Sequence, residues 1–179
     1  ILGSRAITRG LRTNTDLSWA TDGTRLYYSD NEGGRTRYFQ VPIAGGEPSE
    51  IAIPFRYGSV LAYLSGAGAL LVNGAEAEQP DESREGPPLW LANVSSGEVR
   101  RLGNLRARSA AVSPDGTQLA LVSGGPEGMS IRLAMADGSN PRRLVTLVPR
   151  LGIGKVAWSP DGKTLRYETD GPPGHESEL

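Results

Sequence analysis

The stretch Ala157-Trp-Ser-Pro-Asp-Gly-Lys-Thr-Leu-Arg-Tyr-Glu168 has the pattern of an apolar strand, a tight turn and a second apolar strand. The same pattern occurs at Leu17–Tyr28, Leu61–Val72 and Ala111–Val122, at intervals of 45, 48 and 46 residues from turn to turn. A repeat of about 40 to 50 residues that carries several short strands predicts a β-propeller, in which each repeat forms one blade.

One complete repeat contains four strands. In the third copy the predicted strands are Ala110–Ser113, Gln118–Ser123, Ile131–Ala136 and Arg142–Leu147. We therefore predict an all-β chain of four-stranded antiparallel blades. The predicted division is an outer strand of a preceding blade with its linker at 1–15, full blades at 16–54, 55–103 and 104–148, and a partial blade at 149–179.

The two ends of the chain predict an incomplete arc of three full blades and one partial blade. Arg5–Thr8 resembles the outer strand of a preceding blade, and a third strand of the last blade begins near Glu176. Pairing of residues 5–8 with the last blade would instead close a four-bladed ring, the smallest usual size. An open arc leaves its end faces uncovered, so we expect marginal stability or self-association.

The repeated phrases resemble one bacterial family. Val112-Ser-Pro-Asp-Gly116 and Trp158-Ser-Pro-Asp-Gly162 are similar to the TolB-type, WD-like propeller repeat, while the first copy has Ala20-Thr-Asp-Gly23 and the second has only Ser65-Gly-Ala-Gly68. The resemblance implies the propeller fold over nearly the whole chain. It leaves function open, because such repeats occur in periplasmic TolB, in sensory regulators and kinases, and beside peptidase domains.

The composition of the chain restricts the classes of partner that it is expected to bind. A net charge of −1 gives no overall attraction for nucleic acid or anionic membranes, so we expect neither direct nucleic acid binding nor membrane insertion by this segment. The absence of cysteine fits cytoplasm and periplasm equally. The family resemblance favours the periplasm, although Ile1–Arg5 does not begin a signal peptide.

The turn residues of the repeat are expected to be structural. An Asp that precedes Gly in a tight turn accepts hydrogen bonds from nearby backbone N–H groups, and Gly supplies the positive φ. This interpretation covers Asp22, Gly23, Asp115, Gly116, Asp161 and Gly162.

Catalytic motifs are missing from the sequence. The single histidine, His175, lies in a Gly- and Pro-rich segment with no cysteine and no second histidine, so no metal site is predicted. There is no Gly-x-Ser-x-Gly elbow and no phosphate-binding Gly-rich loop followed by Lys and Ser or Thr. We therefore expect no enzyme activity, no catalytic residues and no cofactor, and background rates with esterase, peptidase and phosphatase substrates.

Binding is expected on one face of the propeller, which we call the long-loop face because its connections between strands 2 and 3 and between blades are predicted to be long. Predicted loops there include Ser29–Thr36, Asn73–Pro88 and Ser123–Ser130, and 76–85 is an acidic insertion expected to be solvated. Each interblade loop carries an arginine; these arginines are either ordinary solvated surface charge or a cationic central mouth for a carboxylate or acidic peptide. These candidate ligand-binding residues are Arg12, Arg56, Arg106 and Arg150.

Three functions remain open from the sequence. The first is a non-enzymatic scaffold that binds a protein, peptide or small ligand through the long-loop face, as part of a larger bacterial protein. The second is the accessory propeller of a prolyl-oligopeptidase-like serine peptidase. The third is the sensory propeller of a winged-helix regulator or kinase. Flanking sequence would discriminate among them.

Overall fold

Antiparallel strands joined by short turns account for nearly all of the described chain. The structure is a computed structural model, and it describes residues 17–20, 22–75, 83–146, 153–169 and 176–178. The first sheet comprises β1 (Leu17–Trp19), β2 (Arg25–Glu32), β3 (Arg35–Pro42) and β4 (Ser49–Ile51). The second comprises β5 (Tyr57–Leu64), β6 (Ala69–Ala75), β7 (Pro88–Asn93) and β8 (Val99–Arg106).

The other two sheets repeat this plan. The third comprises β9 (Ser109–Val112), β10 (Gln118–Gly125), β11 (Gly128–Met135) and β12 (Arg142–Thr146). The last has three described strands, β13 (Ile153–Trp158), β14 (Leu165–Thr169) and β15 (Glu176–Glu178). Within each sheet, strands that are consecutive in sequence pair antiparallel. The four sheets are blades 1 to 4 of an incomplete propeller, as the repeats predict.

Neighbouring blades pack through their first strands. β1 lies against β5, β5 against β9, and β9 against β13, so these strands are the innermost of their blades. Because side chains alternate across a strand, β6 faces two neighbours: Leu70 and Val72 pack on blade 1, whereas Leu71 packs on blade 3. All three side chains are fully buried. Each contributes about 1.5 to 3 kcal/mol through burial.

Two connections that were predicted as long loops are tight hairpins. β2 pairs with β3 as far as Glu32 and Arg35, which leaves Gly33 and Gly34 as a two-residue turn. Both glycines have positive φ, 62° and 77°, as such a turn requires. The predicted loop at Ser123–Ser130 is likewise wrong, because β10 and β11 pair as far as Gly125 and Gly128. β8 also continues past the predicted blade boundary at residue 103.

The two ends of the arc differ in chemistry. On the face of blade 1 that points away from blade 2, Leu17 and Trp19 are 53% and 57% exposed. On the outward face of blade 4 the exposed side chains include Arg166 and Glu168, while Leu165 and Tyr167 pack on blade 3. The strand predicted at residues 5–8 lies outside the described residues.

Candidate functional site

The Asp-Gly turns lie on the face opposite the long-loop face, and each aspartate is held locally. Asp115 Oδ1 accepts hydrogen bonds from the Ser113 hydroxyl at 2.6 Å and from the Thr117 backbone N–H at 3.0 Å. Asp22 accepts from Thr24, and Asp161 accepts from the Ser159 hydroxyl and the Lys163 N–H. Positive φ values occur at the glycines that follow, Gly23, Gly116 and Gly162.

These hydrogen bonds favour the charged carboxylate. The Ser113 hydroxyl and the Thr117 N–H lower the pKa of Asp115 below its ordinary value. The pKa of Asp22 is lowered mainly by the Thr24 backbone N–H, and that of Asp161 mainly by the Ser159 hydroxyl. A general acid at neutral pH needs a raised pKa, so the shift is opposite to the one such a role requires.

Two of the four predicted arginines fall within the described residues, where each has a local contact of its own. Arg56 is exposed before β5, with its guanidinium 5.8 Å from the centre of the Tyr57 ring. Arg106 is half-buried at the end of β8, where its Nε donates to the Gly86 carbonyl at 2.9 Å. Arg12 and Arg150 lie outside the described residues.

The end of the acidic insertion is fixed between blades 2 and 3. Residues 76–82 lie outside the described part, whereas Ser83 and Arg84 offer backbone carbonyls to the Arg108 guanidinium, each at 3.4 Å. The Arg106 bond to Gly86 anchors the next turn. Arg106 and Arg108, which follow β7, therefore hold residues 83–86, which precede β7.

The first strands of the four blades enclose a small opening, which we call the central cleft. Its volume is about 260 Å³, and its lining comprises Leu17, Val60, Leu61, Arg108, Ser109, Ala110, Gly154, Lys155 and Val156. Arg108 and Lys155 are the charged residues among these described positions. Apolar side chains and one serine form the rest of the lining.

Two β-bulges shape the central cleft. The register of β5 shifts between Val60 and Ala62, which leaves Leu61 as the extra residue. The register of β13 shifts between Ile153 and Val156, which are both buried, so Gly154 and Lys155 bulge outward and are exposed. A bulge redirects a side chain that regular pleating would place elsewhere. The sequence prediction missed Lys155 because the bulge depends on pairing with β14.

The charged side chains in the lining of the central cleft are both cations, although the Glu168 carboxylate lies close to Gly154. Carbonyl oxygens hold the Arg108 guanidinium but do not neutralise its charge, and its remaining N–H groups can form a paired contact with a carboxylate. Lys155 adds a mobile ammonium group on a flexible stem. The sequence pattern does not single out Arg108, although this residue directly precedes β9, because the spacing of the interblade arginines selects Arg106.

The described ranges were also compared with the requirements of a metal site and of a membrane-spanning helix, and they meet neither. No group of three or more His, Asp or Glu side chains there could hold a metal ion. Within the same ranges, no helix has the length and apolarity that crossing a bilayer requires. His175 falls outside them.

Comparisons with protein-family models and with curated proteins gave no match. Among solved structures, a putative TolB from Agrobacterium tumefaciens is similar, with a TM-score of 0.69 at 21% identity over 85% of this chain and 52% of that one. TolB from Acinetobacter baumannii gives 0.67 at 17% identity, over 86% of this chain and 37% of that one.

A chain of the nidogen–laminin complex is also similar, with a TM-score of 0.63 at 19% identity over 91% of this chain and 63% of that one. The present chain thus spans 52% or less of the two TolB proteins it matches. Identities this low establish the fold and nothing finer. The chain has a TolB-like β-propeller fold, and its four sheets are part of such a propeller.

Proposed function

We propose that the chain is part of a non-enzymatic propeller scaffold that binds a protein or peptide through its long-loop face, with a carboxylate of the partner held in the central cleft. The observation that carries the proposal is that both Arg108 and Lys155 line an opening whose described lining has no acidic side chain. Charge-assisted hydrogen bonds to such a pair are about twice as strong as neutral ones.

The remaining lining supports binding without chemistry. Ser109 is the hydroxyl of the described lining, and its charged neighbours there are cations, which hold an anion but do not withdraw a proton from a serine. Leu17, Leu61 and Val156 add apolar contact area around the charges. Such a cleft suits an acidic side chain or a chain terminus presented by a larger partner. The nidogen–laminin match supports the same view, since that propeller chain was solved within a protein complex.

Fluorescence anisotropy with a labelled acidic peptide tests the proposal. Replacing both Arg108 and Lys155 by Gln should weaken binding by about tenfold or more, because the loss of a single charged bond of roughly 1.5 kcal/mol already corresponds to a factor of ten. Raising the ionic strength should weaken wild-type binding and affect the double variant less.

Arg56→Gln is the matched control, because Arg56 is an exposed arginine near the same face but is not part of the cleft lining. It should bind like wild type. Equal affinity of the wild type and the double variant, with unchanged circular dichroism, would refute the cleft. A loss of affinity confined to Arg56→Gln would indicate that the peptide binds at the arginines that the sequence predicted.

A further inference from the structure

A second opening lies between blades 2 and 3, on the outer side of their apolar contact. This interblade groove has a volume of about 400 Å³, and its lining includes Glu85, Ser123, Ser130, Arg132, Arg143 and Thr146. A volume of this size accommodates a small molecule or a few residues of peptide. The groove shares no lining residue with the central cleft.

A β-bulge places two arginines side by side in the groove. Ile131 pairs with Val145, so regular pairing would set Leu144 opposite Arg132. The register shifts at this point, and Arg143 stands opposite Arg132 instead. Val145 packs on blade 4, whereas Leu144 is left 40% exposed. The bulge thus exchanges a leucine for a second arginine on the groove wall, at a cost in apolar burial.

Like charges directly opposite one another destabilise a sheet. Arg143 is relieved by Glu127, whose Oε2 lies 2.9 Å from Nη1, although both side chains are largely exposed. Arg132 is half-buried, and its side chain forms no hydrogen bond or ion pair with the described residues. Its backbone pairs within the sheet, so the absence concerns the side chain alone, whose guanidinium keeps an unpaired charge and its five N–H donors.

The floor of the groove is polar and buried. Ser123 and Ser130 are 2% and 9% exposed, and their hydroxyl oxygens lie 3.4 Å apart. The Ser130 hydroxyl donates to the Ser123 carbonyl at 3.3 Å, which leaves the Ser123 hydroxyl proton with only the long contact between the two oxygens. A ligand oxygen that entered the groove would give this hydroxyl a better acceptor.

The opposite wall is preformed. The Arg84 carbonyl lies directly against Gly124, in space that a side chain at position 124 would occupy. The bonds from Arg106 and Arg108 hold the same segment in place. Glu85 follows on this wall and adds a carboxylate to the groove. The groove therefore offers a cationic side at Arg132 and an anionic side at Glu85.

We propose that the interblade groove binds a small zwitterion, a free amino acid or a short peptide that carries both a carboxylate and an ammonium group. Arg132 takes the carboxylate as a paired contact, with the Ser123 hydroxyl as a further donor. Glu85 takes the ammonium group. The Arg143–Glu127 ion pair forms one boundary of the groove, and because its two charges cancel it leaves the net charge of the groove unchanged.

Nuclear magnetic resonance titration of the ¹⁵N-labelled chain tests this site with four probes: alanyl-alanine, its N-acetyl form, its C-terminal amide and alanine. We expect the free dipeptide to bind most tightly and to shift the amides of Ser123, Gly125, Gly128 and Ser130. Titration with alanine then distinguishes a free amino acid from a peptide as the better ligand. Arg132→Gln should weaken dipeptide binding by about tenfold, through loss of a charged, paired contact. Glu85→Gln should remove the preference for the free over the N-acetylated dipeptide.

Arg142→Gln is the matched control, because Arg142 precedes Arg143 on β12 but pairs with Leu133 on the other face of the sheet. It should bind like wild type. If Arg132→Gln does not fold, Arg132→Lys keeps the charge without the paired geometry and should bind several-fold more weakly. Wild-type affinity in Arg132→Lys, equal binding of the amide, or equal losses at Arg132 and Arg142 would overturn the proposal.

Discussion

Blades 2 and 3 form the same four-stranded sheet from repeats that differ in their turns. Blade 3 keeps Ser-Pro-Asp-Gly, in which the Ser113 hydroxyl donates to Asp115 and accepts from the Gln118 N–H. Blade 2 has a single 3₁₀ turn at Ser65–Ala67, closed by an N–H bond from Gly68 to the Ser65 carbonyl. Both turns end in a glycine with positive φ, 56° at Gly68 and 74° at Gly116. The apolar strands and the glycine are therefore sufficient for the blade to form, and the aspartate of the turn is not required.

Core truncation should have the largest effect and should affect both blades alike. Leu71 in β6 and Leu121 in β10 are fully buried in the same apolar cluster between the blades. Leu71→Ala and Leu121→Ala should each lower the free energy of unfolding by about 2 to 5 kcal/mol, through lost burial and the cavity left behind. Urea denaturation measures both. A much smaller loss at Leu71 would mean that blade 2 depends less on its core than its sequence suggests.

Replacing the turn glycines should have an intermediate effect. Gly68→Ala and Gly116→Ala should each cost about 1 to 2 kcal/mol, because an L side chain is strained in the left-handed region. Space is not the cause, since a Cβ at either position meets no atom within 4 Å. Gly66→Ala in the same blade 2 turn is the control and should be close to neutral. A neutral result at Gly68 would show that the blade 2 turn adapts where that of blade 3 cannot.

Acid should reveal the smallest difference between the blades. The pKa of Asp115 is lowered in the folded chain from an ordinary value of 3.8, so its contribution is complete above that pH and is lost as pH falls below it. The urea midpoint should therefore fall less between neutral pH and pH ~3 in Asp115→Asn than in wild type. Blade 2 has Ala67 at this position and contributes no such term. An identical acid loss in both proteins would contradict the role of the Asp115 bonds.

The parts of the fold that depend on local chemistry were predictable from the sequence. Repeated Asp-Gly turns and apolar strands gave the four-stranded blades and the propeller. Gly33 and Gly34 were an equally local signal for a two-residue hairpin, and the long loop predicted there overlooked it. The rule that two consecutive glycines favour a two-residue hairpin therefore holds here, although the predicted loop did not take it into account.

The candidate sites could not be predicted, because both depend on pairing register. Lys155 enters the central cleft through a bulge defined by β14, and Arg143 enters the interblade groove through a bulge defined by β11. A single added residue in one strand moves a side chain to the other face. The spacing of arginines in the sequence does not show which face of the sheet each arginine occupies.

The contact between Gly124 and the Arg84 carbonyl also bears on how this repeat protein can evolve. Any replacement of glycine by another amino acid adds a side chain, and at position 124 that side chain meets the backbone of the neighbouring blade. Blade 2 is the repeat whose turn differs most from Ser-Pro-Asp-Gly, and it carries the acidic insertion. Its insertion nevertheless fixes a residue in blade 3, so the blades do not diverge independently.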